Sequence, residues 1–223
     1  MNINKIAIIH PSRGRPDQSF EIERLTRETS SNKIPIKYIL SLDIDDITVG
    51  DYRKNFDTTD TIITVNDNKG YVDACNNAAK LITDEALIFV LSDDFYTPHD
   101  WDLLLRDSIL KIPTEEYLLN VSDKYSNRND CAVITIISTK LYNRLGWVYC
   151  PEYITGWCDN DILEVAKTLG VLYTDFSIVI EHKHPDWLPN IPRDATYLKT
   201  ADPTKVAHSA VLFNKRKANN FGF

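Results

Sequence analysis

Glycine is scarce in this chain, seven residues in 223. Nowhere do the glycines gather into the run that cradles phosphate in many nucleotide-binding loops. The segment that comes nearest, HPSRGRP at residues 10–16, holds only Gly14. Cysteine is scarcer, with Cys75, Cys131, Cys150 and Cys158 the only four and none at CxxC spacing. That excludes a compact zinc site and a disulfide framework, and a reducing compartment is expected. Positive charge is in the minority, 25 Lys and Arg against 32 Asp and Glu for a net charge of −7. Broad nonspecific binding to nucleic acid is therefore disfavoured. No apolar run approaches the length of a membrane span. No secretory segment is expected ahead of the fold, which makes the sequon Asn120-Val121-Ser122 incidental. A cytoplasmic location follows as the expectation, with a peripheral place at a membrane surface as the alternative. The basic cluster Lys215-Arg216-Lys217 reads as a helix end complementing the macrodipole, or else as a contact for a membrane surface or acidic partner.

What is present suits one α/β domain with a small appendage. At 43% hydrophobic and 26% charged, the composition supports a sizeable core. The β-branched run KIAIIH (residues 5–10) predicts a first strand. A helix follows at about 17–31, with Phe20, Ile22 and Leu25 on its apolar side. IKYILSL (36–42) predicts a second strand and 61–65 a third. A helix from 71 to about 82 follows, its Tyr71, Cys75, Ala78 and Ile82 on one face. Residues 86–91 form a run apolar throughout, as for a strand buried on both faces. Thr97-Pro98-His99-Asp100 then reads as a capped helix start, the helix running to about 111. Strands are also predicted at 117–121, 132–138 and 172–181. Helices are predicted at 139–145, ended by Gly146, and at 159–169, stopped by Gly170. After a Pro-rich stretch at 185–192, Asp202-Pro203 opens a last helix with Val206, Ala210 and Phe213 on one side. Strands alternate with helices often enough to predict a central, mostly parallel mixed sheet flanked by helices.

In open parallel sheets, ligands bind beyond the carboxyl ends of the strands. The first strand exits into His10-Pro11-Ser12-Arg13, the second into Asp43, the fourth into Ser92-Asp93-Asp94 and a late one into His182-Lys183-His184. Gathered on one rim, these basic, acidic and imidazole groups suit a divalent metal carrying a phosphorylated ligand. Each has a plainer reading alone. Asp93-Asp94 and Asp43 could be solvated turns, and Asp159 and Asp161 could simply complement a helix dipole. His182 and His184 alternate along a strand and are expected on opposite faces, which leaves at most one as a ligand when read alone.

Six stretches, in this order and spacing, resemble the family 2 glycosyltransferases of the GT-A fold over roughly residues 3–185. IAIIHPSRGRP is similar to the family's opening strand and loop. KGYVDACNNAAK matches its G-x-x-x-A-x-N-x-[GA] helix through Gly70, Ala74, Asn76 and Ala78. ALIFVLSDDF sits where the family carries its DxD motif. LYNRLGWVYCPEY resembles an acceptor-side Gly-aromatic loop, and CDNDILEVAKTLG resembles the [ED]-D helix, with Asp159 eleven residues before Gly170. EHKHP resembles the late metal-binding histidine. Two positions depart from the pattern: Ser92 stands at the first DxD position, and Cys158 stands where an acid usually precedes the helical Asp.

The resemblance implies a GT-A, Rossmann-like domain at 1–185 with a C-terminal lid or helix extension at 186–223. It implies transfer of a sugar from a UDP- or GDP-sugar to an acceptor hydroxyl, with inversion. The metal, manganese or magnesium, would be held by Asp94 and His182, with Asp93 and His184 as further candidates and Asp93 also a candidate for the donor ribose. Pro11, Arg13, Asp43, Gly70 and Asn76 would line the nucleotide pocket. Asp159, ahead of Asp161, would be the base. The acceptor stays open among a glycan, a lipid-linked glycan, a protein and a modified base in DNA. Two rivals remain. One is a nucleotidyltransferase, against which the glycine-poor HPSRGRP loop counts. The other is a catalytically inactive nucleotide-sugar-binding protein, which Ser92 invites.

Overall fold

The computed structural model describes residues 3–67, 69–126 and 130–223. Its centre is a seven-stranded sheet in the order β3-β2-β1-β4-β7-β6-β8. The strands are β1 (Ile6–Pro11), β2 (Ile36–Asp43), β3 (Ile62–Asn66), β4 (Leu87–Val90), β6 (Leu118–Ser122), β7 (Ile136–Ser138) and β8 (Leu172–Val179). β7 runs antiparallel to both of its neighbours, and the other pairings are parallel. The predicted α/β class and mostly parallel mixed sheet are therefore what the chain adopts. A second, two-stranded sheet joins β5 (Phe95–Tyr96) to β9 (Glu181–His182).

The sheet is covered on both faces because its strands are apolar at successive positions. Side chains alternate across it. Ile6, Ile8, Leu87 and Phe89 enter one core with Ile22 of α1 (Pro16–Glu28) and with Trp101, Leu105 and Ile109. Ile9, Ile88 and Val90 enter the other core with Val72, Cys75 and Ala78 of α3 (Tyr71–Ala79). Ile162, Leu163 and Ala166 of α6 (Cys158–Thr168) pack on that same side.

Strand order reverses direction between β1 and β4, which pair directly. A crevice opens at such a switch point, beyond the carboxyl ends of the strands. The exits of β1 and β4 therefore face each other across it.

Several local expectations are corrected. The capped helix start at Thr97 is not formed. Helix α4 spans Trp101–Ile109, and Asp100 precedes it in the left-handed region at φ 55° with no side-chain cap. Trp101 is fully buried and its indole N–H donates to the Thr26 carbonyl at 2.9 Å. The Thr97 hydroxyl instead bonds Thr29 Oγ1 at 2.7 Å. Anchoring of the indole under α1 thus outweighs the local capping pattern. Two short helices were not predicted, α2 (Val49–Asn55) and α7 (Ala195–Thr200). The remaining helices are α5 (Thr139–Leu145) and α8 (Pro203–Ala218). Of the face predicted for α8, Phe213 is buried, but its buried neighbour is Ser209, and Val206 is exposed.

Candidate active site

A cleft of about 390 Å³ lies over the β1 and β4 exits, a size suited to a small-molecule ligand. Its floor is built around Asp93. This carboxylate is buried and accepts from His10 Nε2 at 2.9 Å and from Ser12 Oγ at 2.8 and 2.9 Å. His10 Nδ1 meets the Tyr38 hydroxyl at 2.6 Å, and Ser12 Oγ meets the Tyr52 hydroxyl at 2.7 Å. With Nε2 donating to a carboxylate, Nδ1 of a neutral imidazole is left to accept from Tyr38. Asp93 therefore ties β4 to β1, and much of its hydrogen-bonding capacity is spent on the cleft wall.

Asp94 points elsewhere. One ligand atom each from Asp94, His182 and His184 lies within 4.8 Å of the others. Backbone pairing creates this convergence. β5 and β9 set Phe95 opposite His182, and the Lys183 N–H donates to the Asp94 carbonyl at 2.9 Å. The expectation that the two histidines face opposite sides is overturned. Residues two apart share one side of an extended strand, and their rings here are 4.9 Å apart.

The chemical state of the triad suits a cation. Burial pushes the Asp94 carboxyl up, but hydrogen bonds from His182 and Ser92 and the nearby imidazole charges hold it below its ordinary value. Burial, then the charge of His182, pushes His184 down, toward the neutral imidazole that binds metals. Asp94 Oδ1 and His182 Nδ1 are buried without a hydrogen-bond partner, as atoms reserved for a ligand would be. Ser92, at the departed DxD position, supports the Asp94 carboxylate with its hydroxyl.

On the β2 side, Asp43 Oδ2 accepts from Arg13 Nη1 at 2.9 Å, and Arg13 also pairs with Asp45. Pro11, Arg13, Asp43 and Gly70 all border the cleft. Gly70 has φ 109°, and a Cβ there would lie 2.6 Å from both the Ile154 carbonyl oxygen and its Cγ2. Only glycine lets the start of α3 come so close to that loop. Asn76 differs from its expected role. Its Nδ2 donates to the Tyr149 carbonyl at 2.8 Å, and its Oδ1 accepts from the Val148 and Tyr149 N–H groups at 2.9 and 3.1 Å. It pins the 148–149 loop to α3 and is not among the residues bordering the cleft.

The two acids of α6 have separate surroundings. Asp159, in its first turn, borders the cleft beside Tyr149 and Gly156. Asp161 is fully buried, ion-paired to Arg216 and hydrogen-bonded by the Tyr153 hydroxyl at 3.0 Å. Burial pushes the thiol of Cys158, which precedes both acids, far up, so it stays protonated and serves as core.

The C-terminal segment contributes groups that the sequence reading did not single out. Asp194 caps α7 and accepts two hydrogen bonds from Arg15, both at 2.7 Å. Thr196 Oγ1 donates to the Arg13 carbonyl at 2.9 Å. Lys199, Thr200 and Lys205 thereby border the same cleft. The signal available in sequence was the extension at 186–223, expected there as a lid or helix.

No protein-family model and no curated protein matches the sequence. Solved structures do match, among them glycosyltransferases of the GT-A fold. S. aureus TarS residues 1–349 gives a TM-score of 0.62 at 12% identity, covering 79% of this chain. The chain spans 59% of the length of that structure. A mannosyltransferase from Pyrobaculum calidifontis, in complex with GDP-Man and Mn2+, gives 0.61 at 13% identity, covering 96% of this chain and 75% of its own. A Drosophila β1,4-galactosyltransferase 7 mutant, in complex with manganese, UDP-Gal and xylobiose, gives 0.56 at 11% identity, covering 82% and 71%. The chain therefore has the fold of these enzymes. Among the described residues, no helix is long and apolar enough to cross a membrane.

Proposed function

We propose that this chain is a metal-dependent glycosyltransferase that moves a sugar from a nucleoside diphosphate sugar to an acceptor hydroxyl with inversion. The observation that carries this reading is the meeting, in one cleft, of the Asp94–His182–His184 group with the Asp159 carboxylate. Structural neighbours in complex with UDP-Gal or GDP-Man together with manganese support it.

The three side chains would hold a divalent cation, which when bound supplies positive charge to the departing diphosphate. Two imidazoles and one carboxylate suit manganese better than magnesium, which prefers oxygen ligands and retained water. Asp43 would accept an N–H from the nucleobase edge, with Arg13 fixing its orientation. Pro11 and Gly70 would border the nucleoside closely, since neither offers a bulky side chain there. Asp93 holds the floor and can offer its remaining acceptor capacity to the ribose.

Asp159 would take the proton of the acceptor hydroxyl as that oxygen attacks the anomeric carbon. General-base help of this kind is typically worth about 10²–10⁴-fold in rate. The new carbon–oxygen bond forms as the bond to the diphosphate breaks on the opposite side, so the anomeric configuration inverts. NMR of the product tests this, and retained configuration would contradict Asp159 as a direct base.

Thermal-shift titration with UDP- and GDP-sugars in the presence of manganese tests the donor assignment. Stabilisation by one nucleotide series is expected. If no nucleotide raises the melting temperature, the transferase reading fails.

A further inference from the structure

Strand β1 runs through Ile6, Ala7, Ile8 and Ile9, all buried, and then sets an imidazole, His10, in the same core at 0% exposure. A buried polar ring is costly unless its nitrogens find partners. Both do: Nδ1 meets the Tyr38 hydroxyl of β2 at 2.6 Å, and Nε2 meets Asp93 Oδ1 at 2.9 Å. A second chain reaches the same carboxylate. The Arg15 N–H donates to the Tyr52 hydroxyl of α2 at 2.9 Å, Tyr52 meets Ser12 Oγ at 2.7 Å, and Ser12 Oγ donates to Asp93 at 2.8 and 2.9 Å. The Gln18 amide holds the Asp93 carbonyl at 2.9 Å.

Both chains have a fixed direction. The Ser12 proton goes to Asp93, so the proton between Tyr52 and Ser12 belongs to Tyr52. Burial pushes both phenols up, and each keeps its proton to donate. Tyr38 then donates to Nδ1, which holds the His10 proton on Nε2, toward Asp93. Two donors, each backed by a buried tyrosine, thus converge on one carboxylate at the cleft. Hydrogen bonds in such chains strengthen one another and stiffen the group they end on. An ionised carboxylate accepts only, and its oxygens together offer about four lone-pair sites. His10 and Ser12 do not use them all.

We propose that His10, backed by Tyr38, is a positioning residue for donor recognition: it fixes the Asp93 carboxylate as the acceptor of a ribose hydroxyl. This rests on the transferase reading above and extends it to a side chain in the core of the sheet that touches no ligand. An aliphatic residue in place of His10 would still fill the core, but Asp93 would lose its Nε2 donor and could turn about its side-chain torsions. A purely structural His10 would affect all nucleotides alike. A positioning His10 affects those that carry the ribose hydroxyls.

Calorimetry with manganese present, using UDP, GDP and their 2′,3′-dideoxy forms as probes, tests this role. Wild type should bind the ribose form of its preferred nucleotide roughly 10-fold or more tightly than the dideoxy form. His10→Leu should lose most of that ratio, with the affinity for the dideoxy form little changed. His10→Gln, which can still offer an N–H to Asp93, should keep much of it. Tyr38→Phe removes only the hydroxyl behind the imidazole and should lower the ratio in a protein that keeps its fold, so the role is tested even where His10→Leu does not fold. A folded His10→Leu or Tyr38→Phe protein with the wild-type ratio overturns the role, as does an equal loss for the ribose and dideoxy forms. Wild-type protein that binds both forms equally overturns it too. Wild-type protein that binds none of the four nucleotides overturns the transferase reading, and the role of His10 with it.

Discussion

Asp161 and Arg216 form a two-pronged ion pair, with Nε to Oδ2 at 2.6 Å and Nη2 to Oδ1 at 3.2 Å. The pair ties α8 to α6. Two residues earlier, Asp159 faces the cleft itself. Two positions of one helix therefore separate an acid spent on an ion pair from one that borders the cleft. Asp161→Ala leaves a guanidinium without its partner and should cost about 3–5 kcal/mol of stability, read as a lower denaturation midpoint. Asp159→Ala should leave the midpoint nearly unchanged and lower turnover about 10²–10⁴-fold. Steady-state kinetics beside urea denaturation separate the two. An Asp161→Ala protein as stable as wild type would break the assignment.

Asp93 and Asp94 should part in the same way. Asp94→Ala removes the carboxylate of the triad, so calorimetry should detect no specific manganese binding while the fold persists. Asp93→Ala strips the acceptor from His10 and Ser12 in a buried network, at a cost of roughly 1–3 kcal/mol for groups left unsatisfied. If Asp93→Ala abolished manganese binding without loss of stability, the two roles would be exchanged.

Gly70→Ala should be poorly tolerated. The new residue would have to hold φ 109° with its Cβ 2.6 Å from Ile154. Backbone strain of this kind costs about 1–3 kcal/mol, and displacing the Ile154 loop should widen the cleft. Lower melting temperature together with weaker nucleotide affinity is expected, and a neutral variant would contradict the close approach.

Acid should release the C-terminal helices. The Arg15 hydrogen bond, ahead of the opposing effect of burial, holds the Asp194 carboxyl below its ordinary value of 3.8. A carboxyl lowered in the folded state contributes stability that is complete above its unfolded value and fades as pH falls through the folded one. The tie between α7 and the β1 loop should therefore persist through neutral and mildly acidic pH and weaken only below about pH 4. Hydrogen exchange of residues 194–205 against pH measures this. Asp194→Asn should show fast exchange already at neutral pH.

The parts that were legible in sequence share a physical cause. LIFV at 87–90 is apolar throughout because both faces of β4 are covered, and Gly170 ends α6 at φ 69°. Asp43, Asp94 and His182 each follow a strand exit, and they border one cleft. What escaped depends on packing rather than pattern. Nothing local distinguishes Asp93 from Asp94; the His10 and Ser12 contacts from β1 make one a wall and leave the other facing the cleft. Asn76 fits a family motif by position, yet its amide is spent on the 148–149 backbone. Helix α7 is six residues long, too short for apolar periodicity to show.

Release of nucleoside diphosphate from UDP- and GDP-sugars with manganese, followed in wild type and in Asp94→Ala, bears most directly on the central claim. Wild type should release nucleoside diphosphate from one donor series, slowly onto water and faster once an acceptor is found. Both Asp94→Ala and chelation should stop it. Folded wild-type protein that releases nothing from any donor, or release that survives loss of Asp94, would contradict a metal-dependent sugar transfer at this site.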